Sequence, residues 1–168
     1  ASTHSVLGEY WTRGLIGNDG KRIATLNFNM CDYDYPNVMG IRITEGTTIK
    51  KKGDLLVNKE LVRLMKWTDG AVGKSVSGVE GTIVGVFDDI RNRSFYSSQS
   101  PIVLIADKES ANHTINVRLK EPYDENLKRL NECVAKTFPN VALNFNSVDS
   151  MIREGYKSVY RFRNAVWI

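Results

Sequence analysis

The sequence predicts an α+β protein made of a β-rich lobe, a βαβ lobe and a C-terminal helix. Short apolar runs separated by Gly, Pro and Asn dominate the first two thirds of the chain and are typical of strands. A strand pattern, a helix pattern and a second strand pattern then follow in order, which predicts a βαβ unit. We place the β-rich lobe at residues 1–108, the βαβ lobe at 109–146 and the last helix at 147–168.

The β-rich lobe is predicted to begin with irregular surface chain. Residues 1–20 are rich in Gly, Ser, Thr and Asn and end in the turn signal Gly17-Asn-Asp-Gly20. An amphipathic helix is predicted at Lys59–Trp67 and a short helical turn at Tyr33–Met39. The predicted strands are Arg22–Met30, Gly40–Gly46, Asp54–Asn58, Gly81–Phe87 and Pro101–Ile105.

The βαβ lobe is predicted from two alternating segments around one helix. His113–Leu119 alternates, with Ile115, Val117 and Leu119 on one face, and Val141–Phe145 alternates in the same way. Asp124 is the predicted N-cap of the helix between them. The buried stripe of that helix is predicted to be Leu127, Leu130, Val134 and Phe138.

The last helix carries a long apolar stripe. Ser147 is its predicted N-cap, and the stripe comprises Val148, Ile152, Tyr156, Val159 and Val166. The chain starts without Met and ends on apolar residues, so we expect a piece of a larger protein whose final helix continues further.

Composition is that of an ordinary globular domain. The 168 residues are 42% hydrophobic and 25% charged, with a formal net charge of +4. No stretch reaches the roughly 18 consecutive apolar residues of a membrane span. The basic run Lys50–Lys52 is shorter than the patches that signal nucleic-acid binding, so we expect no nucleic-acid partner.

Catalytic candidates are weak. Asp88 and Asp89 could act as a carboxylate pair with His113 or Glu80, but adjacent residues leaving a strand point to opposite sides. A strand-end turn is the expected role of the two aspartates. Gly70-Ala-Val-Gly-Lys-Ser75 lacks the earlier glycine of a phosphate loop. We therefore expect no catalytic site, cofactor or metal.

The two cysteines are not expected to form a disulfide. Cys133 lies beside Leu130 and Val134 in the predicted helix and is interpreted as a small buried hydrophobe. Cys31 follows a strand whose alternate residues from Ala24 to Met30 face inward, so it lies on the opposite face of that strand.

An aromatic loop, Ser94–Ser98, supports two interpretations. In the first interpretation, Phe95 packs beneath its own loop. In the second, Phe95 and Tyr96 form a contact surface for a partner, since aromatic residues are enriched at interface anchors.

Five segments, taken in order, resemble the MacB-like periplasmic core domain of FtsX-type ABC-transporter permeases. They are Met39–Gly46, Leu56–Trp67, Gly70–Val76, Thr82–Asp89 and the strand that starts at Pro101. Tyr156 in the last helix also fits, and the resemblance covers the chain from about Tyr33 onward.

The resemblance implies an extracytoplasmic, periplasmic domain of an inner-membrane protein, with the βαβ lobe being porter-like. It implies no catalysis in this piece. The implied partners are the transmembrane helices of the same permease, a cytoplasmic ATP-binding subunit or domain, and a periplasmic adaptor or lipoprotein. Ile152, Tyr156 and Val159 would then couple the domain to the membrane as a stalk.

Two features of this chain depart from the family. The family has an earlier βαβ-like segment that residues 1–20 do not supply, and Lys157–Arg163 is basic where a more acidic continuation is expected. The alternatives are a stand-alone periplasmic or surface binding module and a small enzyme. Apolar stretches of about 20 residues flanking this segment in the full gene would favour the permease, and a cleft lined by converging polar groups would favour the enzyme.

Overall fold

A computed structural model describes residues 1–4, 10–17, 19–89, 99–140, 145, 147, 148 and 150. The chain divides into two compact units, Ala1–Asn116 and Val117–Ile168. The strands are β1 (Trp11–Ile16), β2 (Arg22–Cys31), β3 (Ile43–Gly46), β4 (Asp54–Asn58), β5 (Thr82–Phe87) and β6 (Ile102–Ala106). The helices are α1 (Tyr35–Val38), α2 (Lys59–Leu64) and α3 (Tyr123–Thr137).

The first unit is built on a mixed six-stranded sheet in the order β1-β2-β6-β4-β5-β3. The pairs β2/β6 and β4/β5 are parallel, and the other neighbours are antiparallel. All five residues of β4 are buried, which accounts for its continuous apolar run because a strand covered on both faces has no polar face. The predicted α+β class is confirmed.

The first face of the sheet is covered by α2 and the chain that follows it. Leu61 is buried and Met65 nearly so, as their helical spacing predicts. The helix ends at Leu64, earlier than the predicted Trp67, because Lys66 takes a left-handed conformation with φ of 55°. The buried core on this face comprises Leu15, Leu26, Leu55, Val57, Leu61, Met65, Ala71, Val76, Ile83, Val86 and Val103.

The second face has its own core. It comprises Cys31, Tyr35, Ile49, Leu56, Phe87, Ile102, Leu104 and Ala106. Cys31 therefore lies on the face opposite Leu26, as its strand register predicts. Two polar residues of β2, Asn27 and Asn29, are also buried on the Cys31 face.

The prediction of irregular chain over residues 1–20 is wrong in two places. Trp11–Ile16 forms β1, which pairs with β2 as a hairpin closed by the turn that starts at Gly17. The turn follows its sequence signal, whereas Thr12, Arg13 and Gly14 break the apolar pattern of the strand before it. Ser2 and Thr3 are buried by backbone pairing with other segments.

The first predicted strand of the βαβ unit is wrong as a strand. His113–Leu119 forms no strand, and its one isolated bridge joins Thr114 to Ser2. Ile115 and Val117, predicted to share one face of that strand, are exposed, and so is His113. The alternating pattern of His113–Leu119 did not produce a strand because, among the described residues, the segment pairs at one position, Thr114 with Ser2.

In the second unit, α3 confirms the predicted helix with two corrections. Its N-cap is Pro122, and Asp124 lies in the first turn. Of the predicted stripe, Leu127, Leu130 and Val134 are half-buried, whereas Phe138 is exposed.

Cys133 on α3 is exposed rather than buried, because it lies beside the Leu127–Leu130–Val134 stripe and not in it. Val141 and Leu143 of the predicted second strand, and the final helix beyond Ser150, lie outside the described residues.

The two free thiols are predicted to differ in reactivity. Burial, followed by the charge of Asp32, raises the pKa of Cys31 from 9.0 to about 12, whereas Cys133 is exposed. Iodoacetamide at pH 8 should therefore modify Cys133 alone in the native protein and both cysteines in urea, as measured by mass spectrometry of tryptic peptides. Because the folded pKa of Cys31 is raised, its contribution to stability is complete below pH 9 and is lost as the pH rises through about 12. Native modification of Cys31 at the rate of Cys133 would contradict its burial.

Candidate functional site

Asn58, the last residue of β4, is a hydrogen-bonding hub in the first unit. Its side chain is fully buried and uses all four of its hydrogen-bonding positions. The carboxamide oxygen accepts from the backbone N–H of Leu61 (3.2 Å) and Ile102 (2.8 Å). The amide nitrogen donates to the carboxylate of Asp89 (2.8 Å) and the backbone carbonyl of Ser100 (2.9 Å). One side chain thus joins the ends of β4 and β5 to the starts of α2 and β6.

Asp88 and Asp89 have separate structural partners at this hub. Asp89 accepts from Asn58 and from the backbone N–H of Glu60 (3.1 Å), so it helps to cap α2. Asp88 pairs with Lys59 and, at 3.7 Å, with Arg42. The hydrogen bond from Lys59 lowers the pKa of Asp88, which favours its ionised form. This arrangement does not build a carboxylate pair that shares a proton.

The glycine-containing loop Gly70–Ser75 is not arranged as a phosphate loop. The Lys74 ammonium pairs with Asp69, donates to the Gly70 carbonyl (2.7 Å) and lies 5.6 Å from the centroid of the Trp67 ring. Gly73 and Lys74 of the loop form backbone hydrogen bonds with Ile83 of β5. The loop therefore packs against a strand and leads into it, whereas a phosphate loop leads into a helix.

A second cluster lies where the two ends of the first unit meet. We define the junction as residues 1–4, 29–32 and 114–116. The backbone N–H of Ser2 donates to the carbonyl of Thr114 (3.0 Å), and the N–H of Thr114 donates back to Ser2 (2.9 Å). Ser2 also forms an antiparallel bridge with Cys31, the last residue of β2. The first segment of the unit is therefore paired on one side with β2 and on the other with the segment that leaves the unit.

Side chains reinforce the junction. The buried Asn29 oxygen accepts from the Thr3 hydroxyl (2.8 Å) and the His4 N–H (3.1 Å), and its nitrogen donates to the His4 carbonyl (3.2 Å). Asn116 donates to the Ser2 hydroxyl (2.9 Å). The junction is held by side-chain and backbone bonds together, which makes it a defined structural element.

The histidines do not form a metal site. His4 is half-buried with its ring centroid 5.5 Å from that of Trp11, in an edge-to-face contact, and His113 is exposed. Among the residues for which the structure gives positions, no three histidine, cysteine or acidic side chains are grouped to hold a metal ion.

The residues predicted to contact partners lie outside the described part of the chain. They are Phe95 and Tyr96 in the aromatic loop and Ile152, Tyr156 and Val159 in the last helix. Within the described segments, no helix has the length and apolar character needed to cross a membrane.

The hub and the junction are not among the sites predicted from the sequence. Asn58 carried one usable signal, because an asparagine between a strand and a helix is a preferred N-cap. The junction carried none, since Ser2, Asn29 and Thr114 are distant in sequence and no local pattern relates them.

The fold is similar to that of two solved protein domains. One is the periplasmic region of MacB from Actinobacillus actinomycetemcomitans, with a TM-score of 0.52, 15% sequence identity, and coverage of 77% of this chain and 64% of that chain. The other is a domain of a Porphyromonas gingivalis protein described as a permease, with a TM-score of 0.51, 20% identity, and coverage of 86% and 78% respectively. This chain therefore spans slightly less than two thirds of the MacB periplasmic region. No protein-family model and no curated protein matches the sequence.

The class of fold is thereby defined as the α+β fold that these two solved domains share with this chain. More particularly, the chain has the fold of the MacB periplasmic region, and the resemblance found in its sequence is confirmed at the level of the fold.

Replacing Asn58 is predicted to destabilise the first unit strongly. Asn58→Ala removes four hydrogen bonds and leaves the buried N–H of Ile102 unpaired, so we expect a loss of about 3 kcal/mol in the free energy of unfolding. Urea denaturation followed by circular dichroism measures this loss. The matched control is Asn112→Ala, at an exposed asparagine, with an expected change within about 0.5 kcal/mol. Equal effects of the two substitutions would contradict the role of the hub.

Proposed function

We propose that this chain is the extracytoplasmic, periplasmic part of an ABC-transporter permease. It does not catalyse a reaction; it transmits conformational change and docks substrates or partner proteins. Its partners are the membrane helices of the same permease and the cytoplasmic ATP-binding subunit or domain that drives them. The MacB-like fold supports the placement, and the junction supports the transmitting role.

The observation that carries the proposal is the two-way backbone bonding between Ser2 and Thr114. These residues lie at the two ends of the first unit and exchange a pair of hydrogen bonds, while Ser2 also bridges to β2. A displacement of either end is therefore passed to the other end and to the sheet. A domain inserted between two moving segments needs this kind of mechanical connection.

The sheet can respond as one body because its strands are tied together. The Asn58 hub joins β4, β5, β6 and α2, and β6 pairs directly with β2. Motion that reaches β2 at Cys31 is transmitted through β6 to the rest of the sheet. The solvent-exposed surface of the first unit then serves as a docking surface, and its position changes during the transporter cycle.

Phe95 and Tyr96 are proposed as part of that docking surface, and a periplasmic adaptor or lipoprotein as its occupant. Ile152, Tyr156 and Val159 are proposed as the stalk that connects the domain to the membrane. These assignments rest on aromatic composition and apolar spacing in the sequence.

Thr114→Pro is predicted to uncouple transport from ATP hydrolysis in the intact transporter. Proline removes the N–H that donates to Ser2, and the loss of one backbone hydrogen bond corresponds to about a fivefold change in an equilibrium. Transport per ATP hydrolysed in reconstituted vesicles should fall by about that factor while ATPase activity persists.

The matched variant for this experiment holds the junction closed. This variant carries Ser2→Cys and Thr114→Cys, together with Cys31→Ala and Cys133→Ser to remove the native thiols. Ser2 and Thr114 form a hydrogen-bonded antiparallel pair, whose Cα atoms lie roughly 5.5 Å apart, a distance that a disulfide can span. Oxidation should cross-link them and leave coupling intact. Unchanged coupling in a folded Thr114→Pro transporter would refute transmission through the junction.

A stalk substitution tests the connection to the membrane separately. Tyr156→Ala removes the largest side chain of the proposed stalk stripe, and we expect transport to fall severalfold at unchanged membrane insertion and ATP binding. Substrate flux in vesicles measures the effect, with Lys157→Ala as the neighbouring control. Wild-type flux in Tyr156→Ala would remove the stalk from the proposal.

A further inference from the structure

One edge of the six-stranded sheet is open. β1 is the first strand in the sheet order, so β2 pairs with one of its sides and no described strand pairs with the other. Trp11, Thr12 and Arg13, the first three residues of β1, are exposed. In an antiparallel strand, alternate residues direct their backbone N–H and C=O groups away from the partner strand. The outer side of β1 therefore carries a row of donors and acceptors that no described strand uses.

The opposite edge of the sheet is protected in ways that β1 is not. β3 has four residues, and its register against β5 shifts between Ile43 and Glu45. Short length and an irregular register are two devices by which proteins prevent an edge strand from pairing further. β1 has six residues, contains no proline and stays in register with β2 from Trp11 to Leu15. β1 is therefore the edge that can accept another strand.

Two arginines give the β1 edge a positive charge. Arg22 of β2 lies across Gly14, since its Cδ and Nε atoms would be 3.3 Å from a Cβ added to that glycine. The Arg22 guanidinium donates to the Thr25 hydroxyl (3.1 Å), and the Arg13 guanidinium donates to the Gly78 carbonyl. Among the described residues, neither arginine forms an ion pair with an acid. Both guanidinium groups can therefore bind a carboxylate, their preferred partner.

An aromatic side chain lies at the start of the same edge. Trp11 is 45% exposed, and its ring packs edge-to-face against Phe28 (centroids 5.8 Å apart) and His4 (5.5 Å). These contacts fix the orientation of the ring while nearly half of the side chain stays open to solvent. Tryptophan and arginine are the residue types most enriched at the energetic centres of protein interfaces.

The charge of the edge determines which occupant fits it. If a second copy of the chain paired its own β1 here, centred on the middle of the strand, the two Arg13 side chains would lie close together, and like charges across a strand pair are destabilising. An acidic strand meets a cation on either face instead. Trp11 and Arg13 share one face of β1, and Gly14, beneath Arg22, belongs to the other face.

We propose that the outer edge of β1 binds an acidic, extended segment of a partner protein by strand addition. The main chain of β1 supplies the hydrogen bonds, Trp11 packs against an apolar side chain of the segment, and Arg22 pairs with one of its carboxylates. The proposal concerns described residues of β1 and β2 and does not depend on the proposed transport function.

Two synthetic peptides and the 168-residue chain test the charge preference. In the first peptide valine alternates with glutamate, and in the second lysine replaces each glutamate. Isothermal titration calorimetry at physiological ionic strength should give about tenfold tighter binding of the glutamate peptide, because the lysine peptide places like charges beside the arginines.

Arg22→Glu should weaken binding of the glutamate peptide about fivefold and strengthen binding of the lysine peptide, as expected of an exposed ion pair whose sign is reversed. The matched control is Lys51→Glu, the same charge change at an exposed lysine outside the β1–β2 hairpin. It should change either affinity less than about twofold, because salt screens charges beyond about 8 Å. Circular dichroism verifies that both variants are folded.

Blocking the peptide backbone separates strand addition from simple charge attraction. A glutamate peptide with every backbone nitrogen methylated keeps its side chains and charge but cannot donate main-chain hydrogen bonds, so it should not bind. Hydrogen exchange followed by mass spectrometry should slow in β1, and not in β3, when the unmethylated peptide is bound.

Four results would overturn the proposal. They are the absence of binding by the glutamate peptide at millimolar concentration, equal affinity for the two peptides, retained binding by the methylated peptide, and a dimer of the chain whose formation slows exchange in β1. The last result would make a second copy the occupant of the edge. None of these measurements involves transport, so each outcome is distinguishable from a failure of the proposed function.

Discussion

The architecture of the first unit depends on one buried carboxamide. Asn58 can satisfy two N–H donors and two oxygen acceptors at once, and no other side chain matches this geometry. Aspartate lacks the donors, leucine lacks both functions, and glutamine places its amide one carbon too far. The four bonds hold Leu61, Asp89, Ser100 and Ile102 around one point, which fixes where α2 starts and where β6 begins. The ends of β4 and β5 and the start of β6 meet at this point.

The junction gives that tied sheet a defined connection to the rest of the chain. Ser2 lies between Cys31 and Thr114, so the first and last segments of the unit are neighbours and neither is a loose tail. The likeness to the periplasmic region of MacB concerns the fold alone.

Local patterns in the sequence were sufficient for the elements whose environment is uniform. The strands β4, β5 and β6 are short apolar runs, and α2 has a clear helical stripe, so burial and periodicity identify them directly. The errors arose where distant pairing decides the outcome. Trp11–Ile16 is a strand because it pairs with β2 in a hairpin. His113–Leu119 has a clearer alternation of apolar and polar residues but pairs through one bridge, to Ser2. The burial of Asn58 and Asn29 was equally invisible, since their partners lie up to 44 residues away.

The strand order has a consequence for how the protein is made. The last strand of the sheet to be synthesised, β6, lies between β2 and β4. Until Ile102–Ala106 leaves the ribosome, the chain can build only a β1–β2 hairpin and a separate β3–β5–β4 ribbon, each with an unpaired edge. Cooperative folding must wait for this central insertion, which closes long loops and is intrinsically slow. The nascent chain is therefore most exposed to aggregation and to chaperone capture just before residue 102 emerges.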